Sequence, residues 1–294
     1  MTKIAVVAHA GKTFDGGLLE LRRELERHGV SDPAWYEVPK SRKAPSRVRQ
    51  AVSDGAELLF VWGGDGTVQR CIDALDGSTI SLAIVPAGTA NLFASNLDIP
   101  KDIGKAVEIG LNGRRRKLDV GRMNGERFAV MAGAGFDAQM IRGAEAGLKD
   151  RLGRIAYVWT GLKELGRKPF GTSIKVDGTS WYEGEASCVL LGNVGELFAG
   201  VEAFENAKPD DGVLELGVVT ADSKLDWART IARTAAGASS SSPFVRMTKA
   251  RTADVLFDRK ILYEVDGGDR KPAKRLEVQV EPAAIEVCVP EGRA

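Results

Sequence analysis

The stretch LFVWGGDGTVQRCIDAL, residues 59–75, constrains the fold of this chain more than any other. It runs from an unbroken apolar segment through a glycine-rich turn straight into a helical pattern. An apolar run without polar alternation predicts a strand buried on both faces, as in a parallel sheet. Val68, Cys71, Ile72 and Leu75 then recur at i, i+3, i+4 and i+7, the spacing of an amphipathic helix. The same device occurs twice more nearby. KIAVVAHA precedes a helix carrying Leu18, Leu21 and Leu25, and ISLAIVPAG leads into TANLFASNL. Strands alternating with helices predict an α/β domain whose parallel sheet is covered on both sides.

Past NGRRRKLDVGRMNGERF the texture changes. RFAVMAG, SIKVDG, EASCVLLGNV, GVLELGVVT, ADVLFD, KILYEVDGG, RLEVQVEP and AIEVCVP read as short strands broken by turn dipeptides, the pattern of an antiparallel sandwich. A chain of 294 residues is long for one core and comfortable for two. The expected division is therefore an α/β domain over residues 1–118 and an all-β sandwich-like domain over residues 119–294, the extreme C-terminus being free to pack back on the first. GASSSSP reads as a flexible loop. The two VDG triplets, at Val176 and Val265, read as hairpin turns rather than a repeat.

Composition narrows the class. Lys plus Arg (41) nearly balance Asp plus Glu (40), so no global field draws the chain to nucleic acid or membrane. Cys71, Cys188 and Cys288 are odd in number and widely spaced, which excludes a disulfide framework and fits a reducing cytoplasm. No segment approaches the roughly 18 uncharged apolar residues of a membrane span, so membrane contact is expected to be peripheral. The sequence leaves the oligomeric state open, a homodimer included. His9 and His28 are too far apart to suggest a metal site, and His28 before Gly29 reads as a helix C-terminus.

The chemistry points to the two glycine loops, residues 63–67 and 86–91. Both fall at the carboxyl ends of neighbouring strands, where open α/β sheets bind ligands. Their glycines let backbone approach a ligand, helix N–H groups donate to phosphate oxygens, and Thr67, Thr89 and Asn91 offer further donors. Side by side they would cradle a nucleotide. Asp65 is then the anomaly, an acid where phosphate is expected; it is explained if it caps a helix or if Mg²⁺ lies between the two.

GGDGT, PAGTANLFA, AGAGFDA (residues 132–138), KPDDGVLELGVV and VDGG, in this order, resemble the landmarks of the diacylglycerol kinase catalytic domain family, which includes bacterial lipid kinases and sphingosine kinases. The resemblance covers nearly the whole chain. It implies an ATP-dependent lipid kinase that binds ATP and Mg²⁺ in an interdomain cleft and phosphorylates a lipid hydroxyl of diacylglycerol or sphingoid-base type, met at the inner membrane face. Gly63, Gly64, Asp65, Gly66 and Thr67 match the ATP loop, with Asp65 in the magnesium network, and Gly88, Thr89 and Asn91 match the second loop. Asp137 matches an acid near the acceptor, and Asp211 one that holds a structural magnesium. Lys12, in AHAGK, matches the lysine of a further small loop whose Asn-Pro is absent here.

Two positions depart from the family's pattern. Leu92 replaces an Asp after the second loop, and Gly268 replaces the Glu that usually acts as general base. Asp269, one residue on, is the candidate substitute. A catalytically silent nucleotide- or lipid-binding member of the family is the alternative reading. NAD kinases share the first loop, but their downstream pattern is missing. The basic runs Arg114 to Lys117 and SRKAPSRVR could meet anionic headgroups, and the helix bearing Trp227, Arg229 and Ile231 could lie on a membrane or pack on the sandwich.

Overall fold

The computed structural model of the chain describes residues 2–135, 169–198, 201–235 and 238–291. These fall into two compact units, Met1–Leu118 with Ala283–Ala294, and Asp119–Pro282.

In the first unit, strands β1 (Ile4–His9), β2 (Ala34–Val38), β3 (Leu58–Gly63) and β4 (Ser81–Pro86) form a parallel sheet in the order β4-β3-β1-β2. Every residue of β3 and β4 is buried, as their unbroken apolar character demands. The C-terminal segment of the chain adds a further parallel strand beside β4, pairing Glu286 with Ser81 and Val287 with Leu82. Helices α1 (Gly17–Arg27), α2 (Ala44–Ser53), α3 (Asp65–Ala74), α4 (Leu92–Asn96) and α5 (Ile103–Asn112) cover the sheet. α1 buries Leu21 and Leu25 and packs against α5, and α2 buries Ala44, Val48 and Ala51 beside α3. His28 closes α1 with Nδ1 2.9 Å from the Glu24 carbonyl oxygen, before Gly29 at φ +81°. Asp102 caps α5 by accepting from the Lys105 N–H at 2.8 Å.

β5 (Arg114–Met123) carries the chain into the second unit. There follow β6 (Glu126–Phe128), β7 (Met131–Ala134), β8 (Phe170–Val176), β9 (Thr179–Ala186), β10 (Cys188–Gly192), β11 (Glu196–Phe198), β12 (Val201–Glu202), β13 (Leu214–Val219), α6 (Lys224–Ala235), β14 (Val245–Ala250), β15 (Thr252–Val265) and β16 (Gly268–Val289). The main order is β14-β13-β10-β7-β15, all antiparallel, and β15 also pairs with β8 and β16 along its length. The core joins Phe128, Phe170, Val189, Leu191, Leu216, Val255 and Leu276. Trp227 of α6 is buried against Cys188, Val219 and Ala221, so this helix packs on the sandwich through its tryptophan. The serine run, expected as a loop, carries local structure. Its residues Ser239–Ser241 form a short 3-10 turn, and the backbone N–H and hydroxyl of Ser239 both donate to Glu205 Oε1, at 2.7 and 2.9 Å. Both VDG triplets are hairpin turns with two left-handed residues, Asp177 and Gly178 joining β8 to β9, Asp266 and Gly267 joining β15 to β16.

Candidate functional site

Four strand ends line the carboxyl edge of the first unit's sheet. β1 leads to His9 and Lys12, β2 to the basic turn 40–43, β3 to residues 63–67, and β4 to residues 86–91. The two glycine loops touch through their backbones. The Ala87 N–H donates to the Gly63 carbonyl at 2.9 Å, and a Cβ on Gly88 would lie only 2.5 Å from the Gly64 Cα. Any side chain at either glycine would force the loops apart.

The polar residues expected to meet a ligand divide into two sets. Asn91, at φ 53°, clamps its own loop: its Oδ1 accepts from the Gly88 N–H at 2.8 Å and its Nδ2 donates to the Gly88 carbonyl at 3.0 Å. Thr67 is buried, its hydroxyl 2.9 Å from that of Ser41. Both side chains, expected to offer donors to a ligand, are here buried and bonded within the protein, where they shape the loops. Thr89 is exposed, Lys12 is half-exposed, and Gly66 is exposed.

Asp65, expected in a magnesium network, has a partner within the protein as well. Its Oδ1 accepts from the Phe93 N–H at 3.3 Å, which makes it the cap of α4, a helix 28 residues further along the chain. Burial raises its carboxyl above the ordinary 3.8, and the backbone N–H groups of Phe93, Asp65, Asn91 and Leu92 work against that rise. The carboxylate is thus directed into the amino end of the neighbouring helix. Leu92, the first residue of α4, is buried, and no acid is needed there for the helix to be capped.

Gly66 has no such structural employment. Its backbone is not left-handed, and a Cβ placed on it would meet no protein atom within 4 Å. It lies in the first turn of α3, where the Thr67 and Val68 N–H groups donate to the Gly64 carbonyl at 2.8 and 3.1 Å and the Asp65 N–H turns to its own carboxylate, which leaves the Gly66 N–H as the donor this turn can offer outward. The missing side chain leaves open the approach to that donor, and the turn fits a phosphate oxygen. A protein-held metal fits less well. Among the described residues no three His, Cys, Asp or Glu side chains gather into a group able to hold one, so Asp65 is the single carboxylate the loops offer to Mg²⁺. Such an ion would take its remaining oxygens from phosphates and water. His9 closes the edge on the β1 side. Its Nδ1 accepts from the Gly11 N–H at 3.2 Å, placing the ring proton on Nε2, while burial and then Lys12 push its pKa down.

In the second unit the VDGG hairpin places its residues in unequal roles. Asp266, missed in the sequence, is buried and accepts from the N–H groups of Ala129 (2.8 Å), Val130 (3.0 Å) and Met131 (2.9 Å). Gly268 pairs with Val265, and Asp269 with Glu264. Because consecutive strand residues face opposite sides of a sheet, Asp269 points away from the face that a side chain at 268 would use. The regular register here thus removes Asp269 as a substitute at Gly268. The space beyond Gly268 holds Arg270 instead, whose Nη1 donates to the Gly268 carbonyl at 2.8 Å and whose guanidinium pairs with Glu126. Asp211 is paired with Lys249, and Asp137 lies outside the described residues. Ser41 was hidden in a run of basic residues, although its position directly after a parallel strand marks it as an edge residue.

Comparison with known proteins matches two family domains to the chain. The diacylglycerol kinase catalytic domain matches residues 5–123, and the YegS C-terminal NAD kinase beta sandwich-like domain matches residues 130–289. The chain is 30% identical over 250 residues to a Shewanella frigidimarina protein named "Probable lipid kinase YegS-like", covering 83% of this chain and 80% of that one. It is 29% identical to the diacylglycerol kinase of Bacillus subtilis over 262 residues, 86% of this chain and 84% of the relative. Among solved structures, a diacylglycerol kinase from Bacillus anthracis superposes with a TM-score of 0.75 at 22% identity, over 98% of this chain and 96% of that one. An NAD kinase from Archaeoglobus fulgidus, solved in complex with ATP, shares the fold with a TM-score of 0.57 at 10% identity, over 99% and 94% of the two chains.

Proposed function

The chain belongs to the diacylglycerol kinase family of lipid kinases, and from that premise we propose that it transfers the γ-phosphate of ATP to the hydroxyl of a diacylglycerol-like or sphingoid-base-like lipid. Gly66 carries the nucleotide half of this reading. It is a glycine that no protein contact requires, and its own N–H is the one that the first turn of α3 leaves to be taken up by a ligand. The lipid half rests on the family. Transfer of a phosphoryl group depends chiefly on positioning and on neutralising charge. The fused glycine loops would position the phosphates, and Lys12 would add positive charge at the same sheet edge. Mg²⁺, arriving with the nucleotide, would supply the remaining neutralisation. Contact with the lipid would be peripheral: among the described residues no helix is long and apolar enough to cross a membrane.

The VDGG hairpin favours a second reading, a member that binds nucleotide without transferring phosphate. Its Gly268 offers no base, its Asp269 faces away, and Arg270 fills the space. General-base assistance is worth about 10²–10⁴-fold, so its loss slows the reaction without forbidding it. Incubation with γ-labelled ATP, Mg²⁺ and vesicles containing diacylglycerol, a sphingoid base or a glycolipid separates the two readings. Label in a lipid supports the kinase, ATP bound without transfer supports the silent binder, and neither binding nor transfer refutes both.

A further inference from the structure

The turn between β12 and β13 gathers negative charge. Asp211 is followed by Glu215 on β13, while Asp119 lies buried behind the turn and accepts from the Gly212 N–H at 2.7 Å. The family resemblance assigns a structural magnesium to Asp211. The residues here do not suit one. Asp211 Oδ1 accepts from the Val213 N–H at 3.2 Å, and its Oδ2 lies 2.9 Å from Lys249 Nζ. The same ammonium lies 3.5 Å from Glu215 Oε1, an ion pair too long for a well-formed hydrogen bond.

The sheet, not a chance rotamer, brings the lysine there. Antiparallel pairing of β13 with β14 sets Lys249 directly opposite Glu215, so its side chain rises on the same face beside the acid. β14 ends the strand order, and the Lys249 side chain is 48% exposed, so the stem can follow the edge of the sheet to Asp211. Burial raises the Glu215 carboxyl and Lys249 opposes it; hydrogen bonding to Asp211 is the largest cause raising Lys249. A Mg²⁺ ion would need near-octahedral oxygens at about 2.0–2.1 Å and would have to evict the ammonium to reach them.

We infer that Lys249 is a built-in cation for the Asp211–Glu215 pair, which makes this turn of the sandwich independent of divalent metal. The inference concerns the second unit alone and stands whether or not the chain phosphorylates lipid. Its test is thermal unfolding of the full chain without nucleotide, in EDTA and in Mg²⁺, Ca²⁺ or Mn²⁺, for the wild type, Lys249→Met, Asp211→Asn and the double variant. The wild type should show no stabilisation that Asp211→Asn removes. Lys249→Met should open the acid pair to metal, with a Tm rise of roughly 5 °C at a cation concentration about 100 times its dissociation constant, and the double variant should lose that rise. Should Lys249→Met fail to fold, Mn²⁺ binding read by water-proton relaxation on the wild type and Asp211→Asn decides. Equal signals from the two support the inference. Wild-type metal binding that Asp211→Asn abolishes overturns it, as does a folded Lys249→Met that gains no metal.

Discussion

Replacing Gly66 by alanine separates what the fold needs from what a ligand needs. A methyl group at this position meets no protein atom within 4 Å, and the backbone there is one that alanine adopts without strain. Gly66 stands in the first turn of α3, where Gly→Ala restricts the unfolded chain and raises helix propensity. The expected gain is about 0.4–1 kcal/mol, or roughly 1–4 °C in Tm. The same methyl group would project into the space through which a phosphate oxygen would reach the Gly66 N–H. Loss of one charge-assisted hydrogen bond costs about 1.5–3 kcal/mol, so ATP affinity should fall roughly 10- to 150-fold. Differential scanning calorimetry without ligand and isothermal titration with ATP measure the two effects on one sample. An unchanged ATP affinity in a variant of equal or greater stability would refute the assignment of this glycine to phosphate.

Three other substitutions probe the surrounding devices. Asp65→Asn keeps an acceptor for the Phe93 N–H but removes a charge whose pKa burial raises. The wild-type carboxyl therefore loses stability as pH rises from its ordinary 3.8 through its folded value, and the advantage of the Asn variant should grow across that window and persist at neutral pH. Urea unfolding from pH 3 to 8 checks this, and an advantage that shrinks with rising pH contradicts it. Asp266→Ala strands three buried backbone N–H groups, costing about 3 kcal/mol or more and roughly 6–12 °C in Tm, whereas Asp266→Asn should retain part of the latch. Gly268→Glu meets first the far end of the Arg270 side chain, which can swing aside, and should raise lipid-kinase turnover by up to about 10²-fold. A folded variant without that gain shows that a base at 268 is not what limits the reaction.

What could be read from the sequence was local. The apolar run of β3 and the period of α3 follow from residues adjacent in the chain, and each VDG turn carries in its Asp-Gly the left-handed pair a tight hairpin requires. What could not be read depends on residues meeting across the fold. That Asp65 also caps α4 could not be read from the sequence, because the amino end of that helix is reached only when two loops pack backbone to backbone. Asn91 and Thr67 carry donors suited to phosphate, and only packing shows those donors engaged with Gly88 and Ser41. The exclusion of Asp269 is a matter of strand parity, and the capture of Asp211 by Lys249 is a matter of register. In the serine run, likewise, nothing local predicts that Glu205 will hold Ser239.

Amide hydrogen exchange with and without Mg²⁺-ATP tests the central claim most directly, because it reads each glycine loop separately. Loops fused through Gly64 and Gly88 should respond as one body, with slowed exchange at residues 63–67 and 87–93 together and no comparable change in the sandwich hairpin 265–268. Protection confined to one loop, or absent from both at saturating ATP, would contradict the claim that these two strand ends form a single nucleotide cradle.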